Sequence, residues 1–184
     1  MNETEIINHT RNWVEKVVIG LNFCPFAQRE MLNDRVRFET SDALNIEQAL
    51  EHLLSEIHFL EDNPTVETTL LIYPLAFSDF DDYLDLLDLA NALIEDQEYE
   101  GIFQVASFHP LYQFADSAKD DAANYTNRSP YPMMHLLREE SLEIALENHP
   151  NPDAIPERNV KFAKDKGLAY MQLLLESCMK DNQN

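Results

Sequence analysis

Residues 68–109 read TTLLIYPLAFSDFDDYLDLLDLANALIEDQEYEGIFQVASFH, and this stretch decides the fold. Thr68 to Tyr73 and Phe103 to His109 are apolar runs of strand length. Between them Phe80, Tyr83, Leu84, Leu87, Ala90, Leu93 and Ile94 recur on one side of a helix. Ser78 with Asp81 opens that helix, and Gly101 marks its end. A strand, a long helix and a second strand predict parallel pairing through a crossover.

Working outward, Val36 to Thr40 reads as an earlier strand, and Asn45 with Gln48 caps a helix carrying Ile46, Ala49, Leu50, Leu53, Leu54, Ile57 and Leu60 on one face. Residues 36–109 therefore form a βαβαβ unit. The expected fold is α/β, a small, mostly parallel, three-stranded sheet covered by helices. An N-terminal helix starts at the Asn2–Glu5 capping box and runs to about Gly20. Two C-terminal helices are expected, over about 132–148 and about 156–180, with residues 1–184 as a single domain.

Ligands of open parallel sheets sit beyond the carboxyl ends of the strands. That rule points to Thr40 and Ser41, to Tyr73 and Pro74, and most of all to Ser107, Phe108, His109 and Pro110. The long polar segment from Asp116 to Pro132 starts in the same place, and connections of this length are usually functional or disordered. Its aromatic residues and paired prolines argue against disorder.

Three groups of residues could carry chemistry. Cys24 precedes Pro25, which suits the first turn of a short helix, so the thiol becomes an N-cap candidate and a nucleophile with His109 as acid or base; the alternative is a buried thiol packed by Phe23 and Phe26. Asn124, Asn127, Arg128 and Ser129 in the loop, with Arg138 and Glu139 after it, form a candidate substrate site for an anion. If residues 132–148 are helical, His135, Arg138 and Glu139 share one face, which makes His135 a further catalytic candidate. The alternative is ordinary surface pairing of Arg138.

A metal set would draw on His109, Asp116, Asp120, Asp121, His135 and Glu139. No HExxH pair supports it, so no metal ligand is assigned and no cofactor is named. The three glycines, Gly20, Gly101 and Gly167, leave no phosphate-cradling loop, and no GxSxG elbow occurs.

Charge narrows the partners. Thirty-four acidic residues against thirteen basic ones give a formal net charge of -21, which repels nucleic acid and anionic membranes. No apolar run is long enough to span a bilayer and no signal-peptide pattern opens the chain, so a cytoplasmic location is expected. Nothing in the sequence indicates an oligomeric state.

The segments VIGLNFCPFA (18–27), ASFHP (106–110), TNRSPYP (126–132) and HLLRE (135–139), in that order, resemble an uncharacterised bacterial family, domain of unknown function 1415. The likeness spans nearly the whole chain and implies a single-domain cytoplasmic bacterial protein. It brings no activity, cofactor or catalytic residue with it. From the residues, the leading expectation is a site for a small anionic metabolite, in an enzyme using His109 and Cys24. The alternatives are a non-catalytic interaction protein with an acidic surface and a metal-dependent hydrolase.

Overall fold

The computed structural model describes residues 2–180. Helix α1 (Glu3–Trp13) opens at Asn2, whose side chain accepts from the Glu5 amide while the Glu5 carboxylate accepts from the Asn2 amide. It runs on into a π-helical turn, Val14–Ile19. At Gly20 a Cβ would collide with the Lys16 carbonyl, which explains the glycine. Then follow α2 (Ala27–Leu32), β1 (Val36–Thr40), α3 (Ile46–Asp62), β2 (Thr68–Ile72), α4 (Phe80–Asp96) and β3 (Phe103–Phe108). The α4 N-cap is Asp79 rather than Ser78, its carboxylate accepting from the Asp81 and Asp82 amides. A short 3-10 turn, Ala122–Thr126, precedes β4 (Met133–Arg138), and α5 (Glu139–Glu147), α6 (Ala154–Lys166) and α7 (Leu168–Cys178) complete the order.

The sheet corrects the expected three-stranded, mostly parallel arrangement. It has four strands in the order β1-β2-β4-β3; β1 and β2 are parallel, and β4 runs antiparallel to both β2 and β3. The crossover through α4 thus leaves a gap between β2 and β3, which β4 fills. Met133, Met134 and Leu136 are fully buried there, and each contributes about 1.5–3 kcal/mol of apolar burial. The expected helix over 132–148 is therefore a central strand followed by a short helix. A short apolar run has no decisive period of its own, and the two neighbouring strands supply the hydrogen bonds that select extended backbone. The expected last helix is also divided, at Gly167 with φ +83°.

Side chains alternate between two cores. On one face Phe38, Leu70, Ile72 and Met133 meet Ile6 and Trp13 of α1, Ala163 of α6 and Met171 of α7. On the other, Leu71, Tyr73, Met134 and Leu136 meet Leu53 and Ile57 of α3 and Leu86 and Ala90 of α4. Tyr83 closes the end of this second core, donating to the Met133 carbonyl at 2.8 Å and accepting from the Phe108 amide at 3.2 Å. Among the described residues no helix is long and apolar enough to cross a membrane.

Candidate functional site

Where β1 ends, the Ser41 amide donates to the Ile72 carbonyl at 2.7 Å, so the chain stays beside β2 before turning into α3. Two-residue alternation puts Arg37, Glu39 and Ser41 on the α3 side of the sheet. His52 and Glu56, one turn apart on α3, come down over the same edge. His52 Nδ1 lies 2.9 Å from Ser41 Oγ, which also accepts from the Ala43 amide at 3.3 Å. His52 Nε2 then faces Glu39 Oε1 across 3.9 Å, too far for a hydrogen bond.

Arg37 completes the cluster. Its Nε and Nη2 donate to the two Glu56 oxygens at 2.9 and 3.2 Å, and Nη2 reaches Glu39 Oε2 at 2.6 Å. The guanidinium also lies 4.2 Å over the Phe59 ring. Burial pushes the Glu39 carboxyl above its usual range; Arg37 and His52 pull it back, while Glu56 and Glu3 add to the rise. Arg37, shared between two carboxylates, does not offset the loss of water around Glu39.

Of these groups Glu39, Ser41 and His52 border a cleft of about 690 Å³ at the carboxyl ends of β1 and β2, lined also by Glu3, Asp42, Pro74 and Leu75. No lysine or arginine is among its described lining residues. Pro74 and Leu75 begin the turn from β2 to α4, and two residues beyond the cleft's lining Phe77 has φ +59°. A bulky residue in the left-handed region stores strain and persists only when its surroundings hold it. Two contacts do so: the Phe77 ring packs edge-on against Tyr73 at 5.6 Å, and the Phe77 carbonyl accepts from His109 Nε2 at 2.8 Å.

His109 is fully buried between Phe80 and Tyr83 of α4. Its Nδ1 accepts from the Leu111 amide at 3.0 Å, so the ring proton sits on Nε2 and both nitrogens are engaged. Desolvation lowers its pKa, against the opposing pull of the Phe77 bond and Asp79. Cys24 follows Phe23 of the first core, and among the described residues no hydrogen bond joins its thiol to His109, whose two ring nitrogens are engaged by Phe77 and Leu111. Nor does it cap a helix: the α2 N-cap is Phe26, because Pro25 lies in the preceding turn. Burial raises the Cys24 thiol, with the Phe26 and Ala27 amides opposing.

The loop residues fold the loop itself. Asn124 Oδ1 accepts from the Phe114 amide and the Ser117 hydroxyl, and its Nδ2 donates to the Ala118 carbonyl. Asn127 Nδ2 donates to the Ser107 carbonyl, and Ser129 Oγ to that of Tyr131. Arg128, 8 % exposed, donates to the Tyr112 and Lys119 carbonyls and stacks 4.6 Å over Tyr125. Arg138 donates to the Leu60 and Val66 carbonyls, closing the end of α3.

His135, Arg138 and Glu139 do not share a helix face, because the strand ends at Arg138 and Glu139 begins α5. His135 and Arg138 point to opposite faces of the sheet. His135 lies between Leu70 and Ala106 on the first core, where desolvation pushes its pKa down to about 4. Glu139 borders a separate groove along α5 with Glu140, Glu143 and Glu147.

Sequence reasoning named Ser41 and Pro74 by topology, read His52 as structural or surface, and did not single out Glu39 or Glu56. The available signal was a histidine and a glutamate one helical turn apart on α3, directly after the strand whose end the topological rule marks. Neither the curated proteins nor the solved structures include a match to this chain. A family described as "Protein of unknown function (DUF1415)" matches residues 5–173, nearly the whole chain. The chain belongs to the DUF1415 family.

Proposed function

We propose that the protein works through a small-molecule site in the cleft beyond β1 and β2, and that its ligand is cationic where it meets Glu39 and His52. The observation that carries this reading is the charge of the cleft. Glu3, Glu39 and Asp42 line it, and the Arg37 guanidinium that reaches Glu39 is already shared with Glu56. A cation replaces the anion expected from sequence because Arg128 and Arg138 each turn Nε and Nη2 to backbone carbonyls. His52 is held by Ser41 rather than left to rotate, which suits a group that must meet a ligand in one geometry.

A thermal-shift panel graded by charge tests this, with 1,4-diaminobutane, ethylguanidine and divalent metal chlorides set against acetate and phosphate. Cations raise the melting temperature, and Glu39→Gln removes the effect. Stabilisation by phosphate that disappears in Arg128→Ala would restore the anion site instead.

The acidic groove along α5 supports a second reading, a non-catalytic contact with a basic partner. No residue of α5 is buried, and Ile144 is exposed beside Glu140, Glu143 and Glu147. Reversing those three charges leaves cleft ligands unaffected if the two surfaces act separately.

A further inference from the structure

Resting on the reading of this cleft as the working site, we infer that Glu39, His52 and Glu56 together hold a divalent first-row transition-metal ion, with zinc as the natural probe. One ligand atom from each of the three lies within 4.8 Å of the others. Donors bound at about 2.0–2.2 Å to one ion sit roughly 3–4 Å apart, and Glu39 Oε1 and His52 Nε2 are 3.9 Å apart. The two atoms face each other at a separation that suits a shared ion better than a direct bond.

The surroundings match what such a set requires. His52 and Glu56 come from successive turns of one helix and Glu39 from a strand, so all three sit on rigid elements. A metal-bound imidazole needs its other nitrogen protonated and held by an acceptor. Ser41 Oγ occupies that position at 2.9 Å from Nδ1. With Nδ1 donating, the two acceptor sites of Oγ are filled by the ring and by the Ala43 amide. The Nε2 lone pair is then free toward Glu39.

Arg37 acts as the outer partner of both carboxylates, fixing their orientation and leaving them able to accept on their remaining lone pairs. The mixed imidazole and carboxylate set favours zinc or manganese over calcium, which takes oxygen ligands only. Glu39 and His52 line the cleft while Glu56 lies buried behind them, so a water or a ligand atom in the cleft would complete the shell.

The test uses the full chain, stripped with chelator and dialysed, titrated with zinc chloride by calorimetry and with cobalt chloride by visible absorption. One ion per chain is expected, with cobalt giving ligand-field bands. His52→Ala and the size-conserving His52→Gln lower affinity roughly 100-fold or more, and Ser41→Ala roughly 10-fold, the scale of outer-shell losses. Glu157→Gln, on an exposed position of α6, changes nothing. Circular dichroism of each variant confirms that it folds.

Absence of saturable binding overturns the inference. So does binding that survives in both His52 variants, which would mark diffuse association with the acidic surface. If the amines of the charge panel bind through Glu39 and zinc does not, the metal fails while the cleft stands. If no cation binds, both fail.

Discussion

His109 Nε2 donates to the Phe77 carbonyl across 2.8 Å, joining the end of β3 to a strained turn thirty-two residues earlier in the chain. The histidine that topology singled out thus steadies the turn whose first residues, Pro74 and Leu75, line the cleft. His109→Phe keeps the volume but leaves the Phe77 carbonyl and the Leu111 amide without partners, a cost of roughly 2–4 kcal/mol. Denaturant unfolding measures it, and cleft ligands should bind more weakly to the folded fraction. Unchanged stability would mean that the turn holds itself.

Arg128→Ala removes the donors to the Tyr112 and Lys119 carbonyls and a ring contact, so about 1–3 kcal/mol of stability is lost. The native Arg128 carbonyl also accepts from Trp13 Nε1 at 3.0 Å, which ties the loop to α1. The chain has one tryptophan, so its fluorescence reports this junction directly. Anion affinity lost without loss of stability would contradict the bracing role.

Acid should destabilise the protein through its buried imidazoles. The folded-state pKa of His135 is pushed down to about 4 and that of His109 is also lowered, both chiefly by desolvation, so below the ordinary value of 6.5 the unfolded chain binds more protons. The stability they contribute is present above about pH 6.5 and falls as the pH drops toward 4, by at most ~1.4 kcal/mol per pH unit for each group. His135 keeps partial exposure, which reduces its share. His135→Leu should flatten stability against pH over this window; superimposable wild-type and variant slopes would remove His135 as the cause.

Cys24 should alkylate slowly. Burial raises its pKa, so at neutral pH less thiolate is present than in a free thiol, and iodoacetamide reacts below the free-thiol rate. Cys178, with no exposure, reacts more slowly still. A Cys24 rate above that of a free thiol would return it to the nucleophile role.

Local signals in the chain gave most of the elements. The Asn2–Glu5 box, the Asn45 cap and the apolar stripes of α3 and α4 are short-range patterns whose energetics lie within one or two helical turns. The three parallel-running strands were legible for the same reason, being apolar runs set between helices. β4 was not, because MMHLLR fits a helix or a strand equally well by period, and Pro130 and Pro132 mimic a helix start.

The site divided along the same line. The rule for parallel sheets puts a candidate site beyond the carboxyl ends of the strands, since strand direction follows from element order. The sequence could not tell which polar residues were already committed. Arg128, Arg138 and Asn124 look like ligand-binding groups until the backbone carbonyls they satisfy come within reach, and those carbonyls lie from five to seventy-eight residues away in the chain. Glu39, His52 and Glu56 look like surface charges until β1 and α3 are laid side by side. Helices, caps and strand direction follow from local chemistry; sheet order and the allocation of polar groups depend on which distant segments bury one another.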